Sequence, residues 1–124
     1  MIACDTSSLI AYWGDESGDD VAAVEECLQQ NAMVLPPVVL SEILSDPALP
    51  KALSLWLKQC PLLEPTEGYW ERAGLLRARI LSRGLKSRLA DAFIAQICID
   101  HGVRLITRDK DFRHYVKWGA LKLL

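Results

Sequence analysis

Three acidic side chains stand in apolar company. Asp5 ends the short run Ile2–Cys4, Glu42 lies inside "VVLSEIL", and Asp91 lies inside "LADAFIAQICI". A carboxylate in such a setting is costly unless it meets a cation, a donor or a proton. Each has a purely structural explanation open to it. Asp5 can cap a helix, and Asp91 can pair with Arg88 or Arg72 or simply benefit from the helix dipole near its start. A fourth acidic stretch, Thr107-Arg108-Asp109-Lys110-Asp111, follows the apolar run "VRLI". There Asp109 falls just past a strand end, unless the loop is merely solvated and its acids pair with Lys110 and Arg113. Taken together, the acids form a series Asp, Glu, Asp, Asp that can converge on one hard cation. Mg²⁺ takes few carboxylates and keeps several waters, so it suits an open set of this kind better than Zn²⁺.

Other chemistries lack their parts. No Ser has a His base at a recognisable spacing, and His101 and His114 are solitary. The glycines form neither GxGxxG nor GxxxxGK, so no phosphate-cradling loop is present. A phosphoaspartyl enzyme wants a second Asp two residues beyond Asp5, where Ser7 stands. Metal-assisted hydrolysis remains, with the cation stabilising charge on a phosphodiester and basic residues holding the nucleic-acid backbone.

The elements that must position these acids alternate strand and helix. Short strands are expected at Ile2–Cys4, "AMVL", "PLLEP", "VRLIT" and "ALKLL". Helices are expected from Ser7 or Ser8 as cap to Trp13, over Asp19–Gln30, from Pro37 through "PVVLSEILS", over Ala52–Lys58, over Tyr69–Ser82 with Gly84 as C-cap, and through "KSRLADAFIAQICIDHG" to Gly102. In the last of these, Leu89, Ala92, Phe93, Gln96 and Ile97 form the tightest apolar stripe, with Asp91 on its flank. The segment "RDKDFRHY" is a loop or short helix. This order predicts an α/β fold: one domain over residues 1–124, a central parallel sheet of four to five strands, and helices on both faces. In such sheets ligands gather at the carboxyl ends of the strands.

A chain of 124 residues with 51% apolar residues can bury an ordinary core. No apolar run approaches the ~20 residues of a membrane span, and no signal peptide is evident, so a cytoplasmic protein is expected. Cys4, Cys27, Cys60 and Cys98 are irregularly spaced without CxxC and read as small apolar thiols. The net charge of −2 conceals an asymmetry: residues 1–66 hold 2 Lys/Arg against 10 Asp/Glu, and residues 67–124 hold 12 against 6. The second half can therefore offer a basic face to a polyanion.

The stretches "IACDTSSLI", "PPVVLSEIL" and "LKSRLADAFIAQICIDHGVRLITRDKDF" resemble successive motifs of the PIN domain, in particular the VapC-type toxins of bacterial toxin–antitoxin pairs. The resemblance runs from residue 2 to about residue 112. The first stretch is weakly specific alone, whereas the third joins an aspartate-bearing helix to the next strand and acidic loop at the family's spacing. The resemblance implies an endoribonuclease dependent on Mg²⁺, with Mn²⁺ as a substitute. It implies Asp5, Glu42, Asp91 and Asp109 as the catalytic acids, with Asp5, Asp91 and Asp109 as metal ligands and Asp111 as an alternative fourth acid. Thr6 and Thr107 match hydroxyl positions that support the acids. It further implies an RNA substrate, a cognate antitoxin and a homodimer; no membrane association is expected from the apolar runs. Trp13, Trp56, Tyr69 and Trp70 are candidates for a partner surface or for the core. An RNA-processing nuclease without an antitoxin, and a non-catalytic binding module, are the alternative functions.

Overall fold

The apolar run Ile2–Cys4 forms β1, the middle strand of a parallel sheet. It is flanked by β2 (Met33–Val34) and β3 (Arg104–Ile106), with Ile2 opposite both Met33 and Arg104. The structure is a computed structural model and describes residues 1–124. Successive strand residues face opposite sides of a sheet. Ala3 and Cys4 are both fully buried, and so are Leu105 and Ile106. The sheet is therefore covered on both faces, which explains why its strands are apolar runs rather than alternating ones.

The sheet has three strands, not the four to five expected. "PLLEP" and "ALKLL" each touch an outer edge through a single parallel bridge, Leu35 with Leu62 and Leu105 with Leu123. On the first edge, Leu35 donates to the Pro61 carbonyl and receives from the Leu63 amide, at 2.9 Å each. Pro36 and Pro61 lack amide donors, so the ladder cannot extend past this pair. On the other edge, Leu105 donates to the Lys122 carbonyl and receives from Leu124, and pairing stops there.

The helices are α1 (Thr6–Trp13), α2 (Asp19–Gln29), α3 (Pro37–Leu44), α4 (Lys51–Gln59), α5 (Tyr69–Leu81), α6 (Leu89–His101) and, after a 3₁₀ turn at Lys110–Phe112, α7 (Arg113–Trp118). Pro37 opens α3, as expected of proline in a first turn. Gly102 ends α6 at φ +63, a conformation that favours glycine. Gly84 is not the cap of α5. Ser82 holds that place, and Gly84 follows two residues later at φ +73.

Helix α6 contacts α5, α3 and β3, which accounts for its apolar residues on nearly every side. Of the expected stripe, Ala92, Gln96 and Ile97 are buried and Leu89 is half exposed, while Ile94, Ala95 and Cys98, on the flank shared with Asp91, are buried as well. The flank bearing the acid is thus itself core. It shares one core cluster with Leu9, Leu35, Ile80, Ile97, Leu105, Phe112 and Tyr115. All four cysteines are free thiols, three of them buried. No helix is long and apolar enough to cross a membrane.

Candidate active site

Asp5 sits where β1 ends and α1 begins, and it is the N-cap of α1. Capping does not fall to Ser7 or Ser8, because the helix already begins at Thr6. The two serines instead hold acids. Ser8 donates its amide to Asp5 Oδ1 at 3.1 Å, and Ser7 donates its hydroxyl to the same oxygen at 2.8 Å. Thr107, just past β3, donates to Asp5 Oδ2 at 2.6 Å. The Asp5 carboxylate is only 3% exposed and its orientation is fixed by these three donors. Each carboxylate oxygen can accept about two hydrogen bonds, so Oδ1 is filled and Oδ2 keeps one lone pair.

The other acids arrive from three further elements. Glu42 is on α3, exposed, and accepts from the Thr6 hydroxyl at 2.7 Å. Asp91 is in the first turn of α6. Asp109 caps the 3₁₀ turn by accepting from the Asp111 amide at 2.9 Å, while its own amide donates to Thr107 Oγ1 at 3.0 Å. Asp5, Thr6, Ser7, Glu42, Arg88, Asp91, Ile94 and Asp109 line one cavity of about 200 Å³. All four acids are there, and Asp111 is not among its lining residues. Larger hollows exist, such as one of about 380 Å³ between Arg72 and Gly119, but none gathers this set. The acids face one another across the cavity without forming a closed ligand set: no three His, Cys, Asp or Glu side chains are gathered closely enough to hold an ion.

The electrostatics reflect this crowding. Burial pushes the Asp91 carboxyl up from its ordinary 3.8 to about 6, and the charges of Asp109, Glu42 and Asp5 add to the rise while Arg88 opposes it. Burial also raises Asp5; its three donors pull it back, and Asp109 pushes it up again. Asp91 forms no ion pair. Arg72 binds Asp100 at 2.8 Å instead, and Arg88 lines the cavity without a salt bridge. Asp109 and Asp111 likewise have no ion pair with Lys110 or Arg113.

The basic half is partly committed to the fold. Arg77 and Arg79 donate to backbone carbonyls, Arg83 stacks on Trp118, and Arg108 binds Glu16 and Asp20. The hydrogen bonds from Arg108 hold the Asp20 carboxyl below its ordinary value. His101 and His114 contact the carbonyls of Glu64 and Lys86 and do not line the acidic cavity. Of the aromatics, Tyr69 is buried, Trp13 and Trp56 meet edge to face at 5.7 Å, and Trp70 is exposed.

A sheet whose carboxyl edge gathers four carboxylates from four separate elements defines an α/β domain with an acidic pocket. The model of the PIN domain family matches residues 2–117, and the chain belongs to that family. The fold is shared with solved structures over the whole chain. A VapBC2 complex from Rickettsia felis bound to a promoter DNA fragment matches at TM-score 0.74 and 20% identity, covering 100% of this chain and 98% of that one. FitAcB from Neisseria gonorrhoeae matches at TM-score 0.71 and 18% identity, covering 100% and 96%. DNA-bound VapBC from Salmonella typhimurium matches at TM-score 0.68 and 15% identity, covering 100% and 98%. A search of curated protein sequences finds no match.

Two features of the site escape a reading of the sequence. From the sequence Arg88 is only a possible partner for Asp91, yet it is the one cation on the cavity wall. Ser8 is a candidate cap by position, yet its hydroxyl donates to Asp20 at 2.9 Å.

Proposed function

We propose that this chain is a metal-dependent endoribonuclease acting as the toxin of a toxin–antitoxin pair in the cytoplasm. The observation that carries the reading is the convergence of Asp5, Glu42, Asp91 and Asp109 on one cavity at the carboxyl edge of the sheet. Their mutual repulsion is unrelieved by any ion pair, and a bound cation would relieve it. The donor set fits a hard divalent cation: it is all oxygen, Asp5 Oδ2 keeps a lone pair, and Mg²⁺ needs few direct carboxylates. Asp5, Asp91 and Asp109 would hold Mg²⁺ or Mn²⁺, in part through its waters, since the three are not gathered closely enough to ligate it all directly. When bound, the cation supplies Lewis-acid stabilisation of charge developing on the phosphodiester.

The chain's own residues do the rest. Ser7, Ser8 and Thr107 keep the Asp5 carboxylate from rotating. Thr6 orients Glu42 at the rim, where it completes the pocket. Arg88, the cation on the wall, is placed to meet a phosphate oxygen that enters beside it.

The partner reading rests on company and on surface. The solved structures that share this fold include VapBC2 bound to a promoter DNA fragment and FitAB bound to a DNA fragment. Glu42 also borders a second hollow of about 310 Å³, lined by Ile10, Trp13, Ile43 and Leu53 among others. An antitoxin segment lying in that hollow would reach the acids directly. Trp70 on α5, 62% exposed, is the candidate contact for a homodimer.

The test is cleavage of RNA by purified protein with Mg²⁺, with EDTA, and with Asp5→Asn. Cleavage that needs Mg²⁺ and is lost in the variant supports the reading. Equal cutting by Asp5→Asn, after trace nucleases are removed, sinks it. Toxicity on expression that a co-expressed neighbouring gene relieves distinguishes a toxin from an RNA-processing nuclease of the same chemistry.

A further inference from the structure

The Asp5 carboxylate belongs to a closed ring of contacts that extends well outside the acidic cavity. One arc leaves Asp5 through the Ser8 amide, continues through the Ser8 hydroxyl to Asp20 Oδ2 at 2.9 Å, and reaches Arg108. The other arc leaves through the Thr107 hydroxyl and reaches Arg108 along the chain. Arg108 closes the ring with a fork: Nε donates to Asp20 Oδ2 at 2.8 Å and Nη2 to Asp20 Oδ1 at 3.1 Å. Its remaining donors bind Glu16 at 3.0 Å and the Ser17 carbonyl at 3.1 Å.

The turn before α2 is shaped around this fork. Gly18 adopts φ +145, and a Cβ there would lie 2.7 Å from Asp20 Oδ1 and 3.3 Å from Arg108 Nη2. The Asp20 side chain is 12% exposed and Ser8 is fully buried, so neither is a casual surface contact. A bidentate arginine fork fixes geometry as well as charge, which lysine cannot do. Arg108 stands between Thr107, which holds Asp5, and Asp109, which lines the cavity. Tethering Arg108 to α2 therefore fixes the loop on both sides of it.

We infer that Asp20 and Arg108 are positioning residues of the acidic site, holding the Asp5 carboxylate and the Asp109 loop in register without touching substrate. The functional half of this inference rests on the reading above that the site binds a divalent cation.

The test uses the full chain as wild type, Asp20→Ala, Arg108→Lys, the double variant, and Asp100→Asn. The last breaks the comparable ion pair with Arg72, away from the acids. Three readouts are taken: native-state amide exchange at Ser8 and Asp109 without metal, Mn²⁺ binding by calorimetry without RNA, and kcat and KM for RNA cleavage. Breaking the fork is expected to speed exchange at both amides, and to weaken Mn²⁺ binding and lower kcat by about 10-fold or more, as for other partners that orient metal ligands. KM is expected to stay within about twofold, and the double variant to be no worse than either single one, since either change opens the same ring. Asp100→Asn leaves all three readouts near wild type. Unchanged amide exchange in the two fork variants overturns the inference whether or not metal binds. Faster exchange with unchanged Mn²⁺ affinity also overturns it, since the pair is then only structural. A wild-type chain that binds no Mn²⁺ defeats the metal reading of the site and the functional half of this inference with it.

Discussion

Replacing Asp91 by Asn should make the metal-free protein more stable while removing its activity. Asp91 lies in the first turn of α6, on a helix flank that is otherwise core, and faces Asp109, Glu42 and Asp5. Its carboxyl is raised from 3.8 to about 6. A carboxyl that binds its proton more tightly folded than unfolded incurs no penalty below about pH 4. The penalty grows between pH 4 and pH 6 and is constant above that. A shift of this size corresponds to at most about 3 kcal/mol. The cavity opens to water, so screening reduces this to about 1–2 kcal/mol. Losing the favourable interaction of the anion with the helix N-terminus returns about 0.5 kcal/mol. Urea denaturation at pH 7.5 with EDTA is therefore expected to show Asp91→Asn more stable by roughly 1 kcal/mol, and a pH 4 titration to show the two proteins nearly equal. Saturating Mg²⁺ should reverse the order at pH 7.5, since it stabilises only the protein that binds it. An Asp91→Asn protein that is less stable than wild type at pH 7.5 without metal, or a difference that does not vary with pH, refutes the claim that like-charge crowding and burial strain this site.

Three further outcomes follow from particular contacts. Thr107→Val removes a hydroxyl that serves both Asp5 and the Asp109 amide; it should cost about 1–3 kcal/mol in urea denaturation and slow RNA cleavage. Gly18→Ala places a Cβ against Asp20 at a positive φ, and a stability loss above about 1 kcal/mol by thermal denaturation is expected. Ile97→Ala, deep in the core and on α6 away from the acids, should cost about 2–5 kcal/mol yet leave kcat of the folded protein close to wild type.

The sequence makes some of this structure legible and hides the rest for identifiable reasons. Asp5, Glu42 and Asp91 stand out because each is a charge in an apolar run, and Asp109 because it follows one. The strand–helix alternation and the Pro37 and Gly102 boundaries are local signals, and they coincide with α3 and α6 as observed. The outer strands are over-read because "PLLEP" and "ALKLL" have strand composition, whereas each makes only a single bridge to its neighbour, the first of them bounded by Pro36 and Pro61. The partners of Arg108 are invisible in any local window: Asp20 lies 88 positions away. Within "GDESGDD", Asp20 looks like one more solvated acid of a polar loop. The stripe through Ala92, Gln96 and Ile97 is buried as expected, but α6 is apolar on nearly all sides, so periodicity cannot say that the Ile94–Cys98 flank is buried too and that Leu89 is not. Arg72 offers a similar lesson. By charge it suits Asp91, yet α5 and α6 pack so that it meets Asp100, near the opposite end of α6.

The most direct test of the central claim is a Mn²⁺ soak of crystals of the wild-type chain, read by anomalous scattering. The account predicts a peak inside the cavity, among Asp5, Asp91 and Asp109, that disappears in Asp5→Asn. A cavity that stays empty at saturating Mn²⁺ in crystals that leave it open to solvent, or a peak that persists unchanged in Asp5→Asn, contradicts it.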